Sequence, residues 1–316
     1  MPQHLYRGWY QVGFEREIRD KVTPLRIGNL RLLLVKQENE FGAYNATCPH
    51  RGAHLAFGGT LDRGAIICPF HGYRIGLGSD SDCQFKTPRY RTLAVGGLLF
   101  VLLSERHENG LTRLLEELNA THYLVPGFTM TAQAPAELVV ENGFDPAHFQ
   151  SVHRLKRRPN LKLSPGDSGE LHLSGTFYAE AFETAWHNGA VQDAGTEMQF
   201  LAQVISPNVC VSRLGENTVI SGSTPNGDGS CTIRVSVAAP ATEDGSPPSQ
   251  QAIRALLRDS KLAYEQDLVI WENRIHDAPN RLTPEDDLIL AFQKFCMRFE
   301  DEKSAANEAH ATCSVR

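Results

Sequence analysis

The sequence predicts an α+β chain in two parts: an all-β N-terminal domain, then an antiparallel sheet packed with one long C-terminal helix. Three observations lead there. Residues 8–103 break into short apolar or alternating runs separated by Gly-, Asn- and Asp-containing turns. Residues 170–238 show the same alternation again. Residues 249–275 instead place Ile253, Leu257, Tyr264, Leu268, Trp271 and Ile275 at helical spacing, with one longer step near Ser260.

Taken in order, the first strands are GWYQVGF, PLRIGNLRLLLVKQ, EFGAYNA, GAIICPFHGYRIG and TLAVGGLLFVLL. Leu32–Val35 and Leu98–Leu103 read as buried strands, because neither approaches the ~18–20 apolar residues that span a bilayer. Residues 104–116 are polar and then weakly helical, and they read as a linker. Residues 136–154 look helical. ELHLSGTFYAEAF, MQFLAQVIS, NVCVSRL, NTVISGST and CTIRVSVAA supply the second sheet, and Asp286 to Glu300 a second amphipathic helix. The division falls at 1–110 and 111–316.

With 316 residues, 41% hydrophobic and 22% charged, this is an ordinary globular composition. The net charge of -6 conceals a split. Residues 1–110 hold 14 Lys and Arg against 10 Asp and Glu, whereas the remainder holds 17 against 27. An acidic chain without a basic stripe is a poor nucleic-acid binder. The basic Arg154–Arg158 reads as a surface segment or subunit contact. The N-terminus lacks the apolar core of a signal peptide, so a cytoplasmic protein is expected. Seven scattered cysteines argue against a disulfide framework.

Two cysteines have histidines at ligand spacing. Cys48-Pro49-His50 is followed, 17 residues later, by Cys68-Pro69-Phe70-His71. Each loop offers one thiolate and one imidazole, which matches two sulfide-bridged irons with Cys48 and Cys68 on one and His50 and His71 on the other. Gly52 and Gly72 stand where the backbone must turn tightly. Structural zinc also accepts two Cys and two His. Against it, the ligand order is unlike common zinc fingers and both loops sit between strands. His54 reads as a neighbour of the cluster or a surface residue.

A second constellation runs from Asn142 through Asp145 and His148 to His153. Asp145 and His148 share a helical face, but His148 and His153 are five apart and would not. Both reach one ion only if the helix is distorted, for instance by a π-bulge, or ends there. Two histidines and one carboxylate bind Fe(II) with positions left open for O2. Asp267 is the chosen carboxylate, since it lies beside the apolar stripe between Tyr264 and Trp271, where an unpaired charge is costly. Glu265 is the rival and should point away.

With these motifs, the chain resembles the Rieske non-heme iron oxygenases, specifically their oxygenase component or α subunit. The segment DLVIWENRIH and the later DLILAFQKFCMRF resemble the monooxygenase branch of cholesterol-desaturase-like and ketosteroid-hydroxylase-like members, departing at Gln293, Phe295 and Arg298. The resemblance implies an N-terminal Rieske [2Fe–2S] domain and a helix-grip (START/Bet v1-like) catalytic domain. It implies that His148, His153 and Asp267 hold mononuclear Fe(II), and that Asp145 bridges to the cluster of a neighbouring subunit through His71.

A homotrimer is therefore expected, fed by a separate NAD(P)H-dependent reductase with or without a ferredoxin. O2 and a small hydrophobic substrate, whether aromatic, steroid-like or a natural product, would be consumed by hydroxylation, desaturation or demethylation. Phe149, Phe177, Phe182 and Trp186 are candidates for the pocket lining, with plain core the weightier alternative for each. The alternatives are a Rieske electron carrier with a non-catalytic ligand-binding second domain, and a zinc-stapled binding module. The basic residues Arg51, Arg63, Arg74, Lys86, Arg89 and Arg91 lie near the cluster loops and would steer an acidic partner.

Overall fold

Ten strands lie between Trp9 and Leu102: β1 Trp9–Phe14, β2 Val22–Ile27, β3 Leu30–Gln37, β4 Glu40–Asn45, β5 Thr60–Asp62, β6 Ala65–Ile67, β7 Arg74–Leu77, β8 Phe85–Thr87, β9 Arg89–Val95 and β10 Leu98–Leu102. This is a computed structural model, and it describes residues 4–38, 40–155, 157–179, 196–242, 245–276, 278 and 281–300. Six strands form one sheet in the order β1-β10-β9-β4-β3-β2, and β5-β6-β7-β8 form a second. The two apolar runs picked out above are buried as β3 and β10.

The weakly helical end of the expected linker opens a full helix, α1, over Leu111–Thr121. Its Leu111 and Leu115 are buried in one core with Trp9, Phe14, Phe100, Ile205 and Val209. That apolar spacing needs a surface to pack on, and the surface comes from both halves of the chain.

The second part is a seven-stranded antiparallel sheet. Its strands are β11 His122–Ala132, β12 Asn160–Pro165, β13 Leu171–Ala179, β14 Thr196–Ser206, β15 Val209–Leu214, β16 Asn217–Pro225 and β17 Cys231–Pro240, ordered β11-β17-β16-β15-β14-β13-β12. Alternation gives the sheet two different faces. Ile233, Val235 and Val237 pack with Leu256 and Trp271 of the long helix α4, Gln250–Asn273. Ala238 packs towards β1 and β10, and Arg234 donates to the Gln11 carbonyl at 3.2 Å. Ser206 and Thr224 hydroxyls also donate to the carbonyls of Trp9 and Gln11, both at 2.9 Å. β1 is thereby stitched to the second sheet.

Two expectations change. The helix expected over 136–154 is broken into α2 (Leu138–Glu141), a 3-10 turn (Asn142–Phe144) and α3 (Pro146–Ser151). Asp145 between them is extended, with φ -107° and ψ 95°, because a following proline disfavours helical angles. Ile275 is 72% exposed, since α4 stops at Asn273 and the apolar stripe ends at Trp271. The long step in that stripe has a local cause: Ser260 is buried and its hydroxyl donates to the Leu256 carbonyl. The second amphipathic segment is α5, Asp287–Met297, and Phe292 stacks on Phe144 with ring centroids 4.7 Å apart. Phe182 and Trp186 lie outside the described residues. No helix among the described residues is long and apolar enough to cross a membrane.

Trp9 is fully buried in the shared core and its indole N–H donates to the Glu108 carbonyl at 2.8 Å. Trp9→Ala should cost about 3–5 kcal/mol of stability, read as a lower urea midpoint by circular dichroism.

Candidate metal centres

The two Cys–His loops are copies of one backbone design. In the first, the Cys48 N–H donates to the Ala53 carbonyl (2.8 Å) and the Gly52 N–H to the Cys48 carbonyl (2.9 Å). In the second, the Cys68 N–H donates to the Tyr73 carbonyl (2.8 Å) and the Gly72 N–H to the Cys68 carbonyl (3.0 Å). Both glycines sit at left-handed φ, +73° and +72°, where a side chain would strain the backbone. The loops therefore face each other, and the His50 and His71 rings meet edge to face at 4.8 Å.

The donor set fits a sulfide-bridged iron pair. Cys48 and Cys68 are buried, and burial, with Cys68 alongside, pushes the Cys48 thiol up. Two adjacent buried sulfurs become thiolates readily only against a cation. The Nδ1 atom of His50 is buried without a hydrogen-bond partner. Desolvation, followed by the nearby His50 and Arg51, holds His71 below its ordinary value, so its ring is neutral at pH 7 as a ligand must be. His71 is exposed, and Phe57, Phe70 and Tyr73 form an exposed aromatic rim nearby. His54 does not join this set: its Nδ1 accepts the Ala56 N–H at 3.2 Å, and its ring packs on Phe57.

The second centre gathers His148, His153 and Asp267, with one potential ligand atom from each within 4.8 Å of the others. An ion with bonds of about 2.0–2.2 Å reaches all three after side-chain shifts of a few tenths of an ångström. No π-bulge is needed, because α3 ends at Ser151 and His153 lies past the helix. Asp267 is buried, and its Oδ1 lies 3.3 Å from His153 Nε2 without a hydrogen bond to satisfy it. A buried carboxylate oxygen of that kind suits a metal ligand. Glu265 is exposed and pairs with Lys261 on the outside of α4.

Both rings are held by their other nitrogen. His148 Nδ1 lies 2.6 Å from the backbone carbonyl of Asp145, and His153 Nδ1 lies 2.9 Å from Gln266 Oε1. Each Nδ1–H donates, which leaves Nε2 as the lone-pair nitrogen. Burial keeps His148 below its ordinary value. Burial also opposes charge on His153, but Asp267 and Gln266 outweigh it and raise that group. The Asp145 carboxylate caps α3, with Oδ1 accepting from the Ala147 and His148 N–H groups at 2.9 and 3.2 Å. Within one chain it is thus the carbonyl of Asp145, not its carboxylate, that meets the His148 ring.

A cavity of about 170 Å³ opens beside the three residues. Its lining mixes apolar Phe149, Phe200, Ala202 and Val219 with polar Ser221 and Tyr264. Phe149 lines it, against the weightier reading of plain core, whereas Phe177 is core as that reading had it, edge to face with Phe149 at 5.1 Å. The Arg154–Arg158 stretch is engaged locally: Arg158 pairs with Glu285 at 2.8 Å and Arg157 lies over Tyr178. Sequence reasoning missed Gln266 and the polar residues of the cavity lining. Adjacency to Asp267 was the one available signal for Gln266.

Comparison with known proteins decides the family. The Rieske [2Fe-2S] domain matches residues 8–95, and the 3-ketosteroid 9alpha-hydroxylase C-terminal domain matches residues 115–299. The chain belongs to the Rieske non-heme iron oxygenases. That family carries a Rieske [2Fe–2S] cluster and a mononuclear iron. A probable 3-ketosteroid-9-alpha-monooxygenase oxygenase component of Rhodococcus rhodochrous is 23% identical over 94% of this chain and 80% of its own length. A cholesterol 7-desaturase of Hemicentrotus pulcherrimus is 22% identical over 88% of this chain, which spans 66% of that relative. The fold matches crystalline dicamba monooxygenase with a TM-score of 0.69 at 15% identity, covering 96% of this chain and 99% of that one. It also matches NdmB of Pseudomonas putida CBB5 with a TM-score of 0.67 at 15% identity, covering 90% and 88%. At such identities the structural likeness shows the fold alone.

For this Rieske oxygenase, Gln266→Leu should weaken Fe(II) binding by about 10–100-fold in anaerobic titration while the visible cluster absorption persists. Fe(II) affinity should also fall as pH drops. The raised His153 takes up its proton from above its usual 6.5 downward, and the protonated ring cannot bind metal.

Proposed function

We propose that this chain is the oxygenase component of a multicomponent monooxygenase. Electrons from NAD(P)H would arrive through a separate reductase, with or without a ferredoxin, and a small hydrophobic substrate would be hydroxylated, desaturated or demethylated with O2. The convergence of His148, His153 and Asp267 at the end of a partly apolar cavity carries this reading. An electron carrier has no use for that second set. The division of labour would follow the chain, residues 1–110 for the cluster and 111–316 for the mononuclear site.

When bound, the cluster stores and passes single electrons and the mononuclear iron activates O2. The protein's own work is positional. The Asp145 carbonyl and Gln266 aim the two rings. Asp267 contributes a negative charge, and Phe149 and Phe200 help keep water from an apolar substrate. Asp145 spends one carboxylate oxygen on capping α3. Its other oxygen is the proposed acceptor for His71 of a second copy, within a homotrimer. The exposed His71 and its aromatic rim favour that docking.

The basic surface is smaller than composition implies. Arg74 pairs with Asp62, and Arg91 with Glu105 at 3.1 Å, while Arg51, Arg63 and Arg89 are exposed. These three are the proposed contact for an acidic redox partner, so the rate of cluster reduction should fall as salt rises. A salt-independent rate would remove that role.

Metal content tests the main reading. Purified protein should hold about three irons per chain, against about two for a carrier, and colourless protein containing zinc without sulfide would overturn it. Asp145→Asn keeps a capping oxygen but removes the charge. Both metal centres should remain loaded in that variant while product formation coupled to NAD(P)H oxidation is lost. Full coupled turnover would exclude the relay through Asp145.

A further inference from the structure

One glycine beside the candidate iron site is required by neither backbone nor packing. Among the described glycines, each of the others either adopts a left-handed φ or has an atom within 4 Å of the place where a Cβ would stand. Gly143 has neither: its φ lies outside the left-handed region, and no described atom comes within 4 Å of that place. It sits in the 3-10 turn Asn142–Phe144. In a helical turn glycine destabilises the folded chain relative to alanine, because it has more backbone freedom to lose. Gly143 therefore weakens its turn and relieves no clash.

Its position is pinned. The next residue, Phe144, is buried and stacks on Phe292 with ring centroids 4.7 Å apart. The Asp145 N–H donates to the Asn142 carbonyl at 3.2 Å, across the turn. Gly143 lines the same cavity as His148, His153 and Asp267. A side chain there would stand in free space at that lining, so what glycine supplies is room for something to approach the backbone closely.

The size of that something follows from the cavity. At about 170 Å³ it is slightly larger than the ~150 Å³ that holds one benzene ring. A single ring would fit with alanine at 143 as well. Room beside Gly143 serves only a body that continues past the cavity. A flexible tail bends around one added methyl group, whereas a rigid ring edge does not. Phe149, Phe200 and Val219 on the lining suit an apolar body.

We infer that the substrate is an apolar body of two or more fused rings, with one ring in the cavity beside His148, His153 and Asp267 and the remainder passing over the bare backbone of Gly143. Gly143 is then a specificity-determining residue that sets the largest substrate admitted. This rests on the cavity being the substrate pocket of the proposed oxygenase.

Benzene and naphthalene are the probes. Each is titrated into the iron-loaded protein under argon, and binding is read from paramagnetic broadening of the probe's NMR signals. Both should bind the unsubstituted chain. Naphthalene should bind about tenfold more weakly to Gly143→Ala and more weakly still to Gly143→Val, since one misfitting carbon in an apolar pocket is worth about 10–200-fold. Benzene binding and iron content should stay unchanged, and the urea midpoint of Gly143→Ala should not fall. No broadening of naphthalene by the unsubstituted chain, an equal loss for both probes, undiminished naphthalene binding in both variants, or a lower urea midpoint for Gly143→Ala overturns the inference. Failure of the oxygenase reading is distinct, because it appears as missing mononuclear iron before any probe is added.

Discussion

A residue followed by proline is steered away from helical backbone angles, and this constraint at Asp145 organises the second candidate metal centre. The break frees the Asp145 carbonyl, which accepts the His148 ring N–H, and frees its side chain to cap the short helix that follows. That helix lasts six residues. Its early end lets His153 fold back towards His148, which a continuous helix would prevent at a spacing of five. Phe144 on Phe292 anchors the segment just before the break. Without this interruption, Asp267 would face one histidine instead of two.

The rest of the molecule supports that short segment from two sides. The seven-stranded sheet supplies a rigid face, and small residues on it, Ala202 and Ser221 among them, leave the cavity open. Helix α4 crosses the sheet and sets Asp267 and Gln266 side by side, one buried towards the metal centre and the other holding His153. On the far face of the same sheet, β1 and α1 build a core shared with the N-terminal strands. One sheet thus carries the redox domain on one face and the candidate reaction site on the other.

Much of this was legible in the sequence because it is local. The cluster loops close within six residues, so Cys48, His50, Cys68, His71 and their glycines announced themselves by spacing alone. Asp267 was legible for an energetic reason, a carboxylate beside an apolar stripe. The split helix was half legible: the spacing of His148 and His153 demanded a distortion, but only the following backbone distinguished a helix end from a π-bulge. The weak helicity at the end of the linker was legible, but the burial of Leu111 and Leu115 was not, because it depends on Trp9 and Val209, far away in the chain. Phe177 is core, the weightier of its two readings, and its place behind Phe149 is a matter of packing.

By itself, then, the sequence determined the fold class, the ligand types and the candidate ligands, since hydrophobic period and ligand spacing are properties of neighbouring residues. Tertiary structure decided which nitrogen of each histidine is free, which groups hold the rings, and which polar and apolar side chains share the cavity. Those depend on atoms from separate strands and helices meeting within hydrogen-bond distance. Such meetings follow from sheet register and helix packing, which no single stretch of sequence contains.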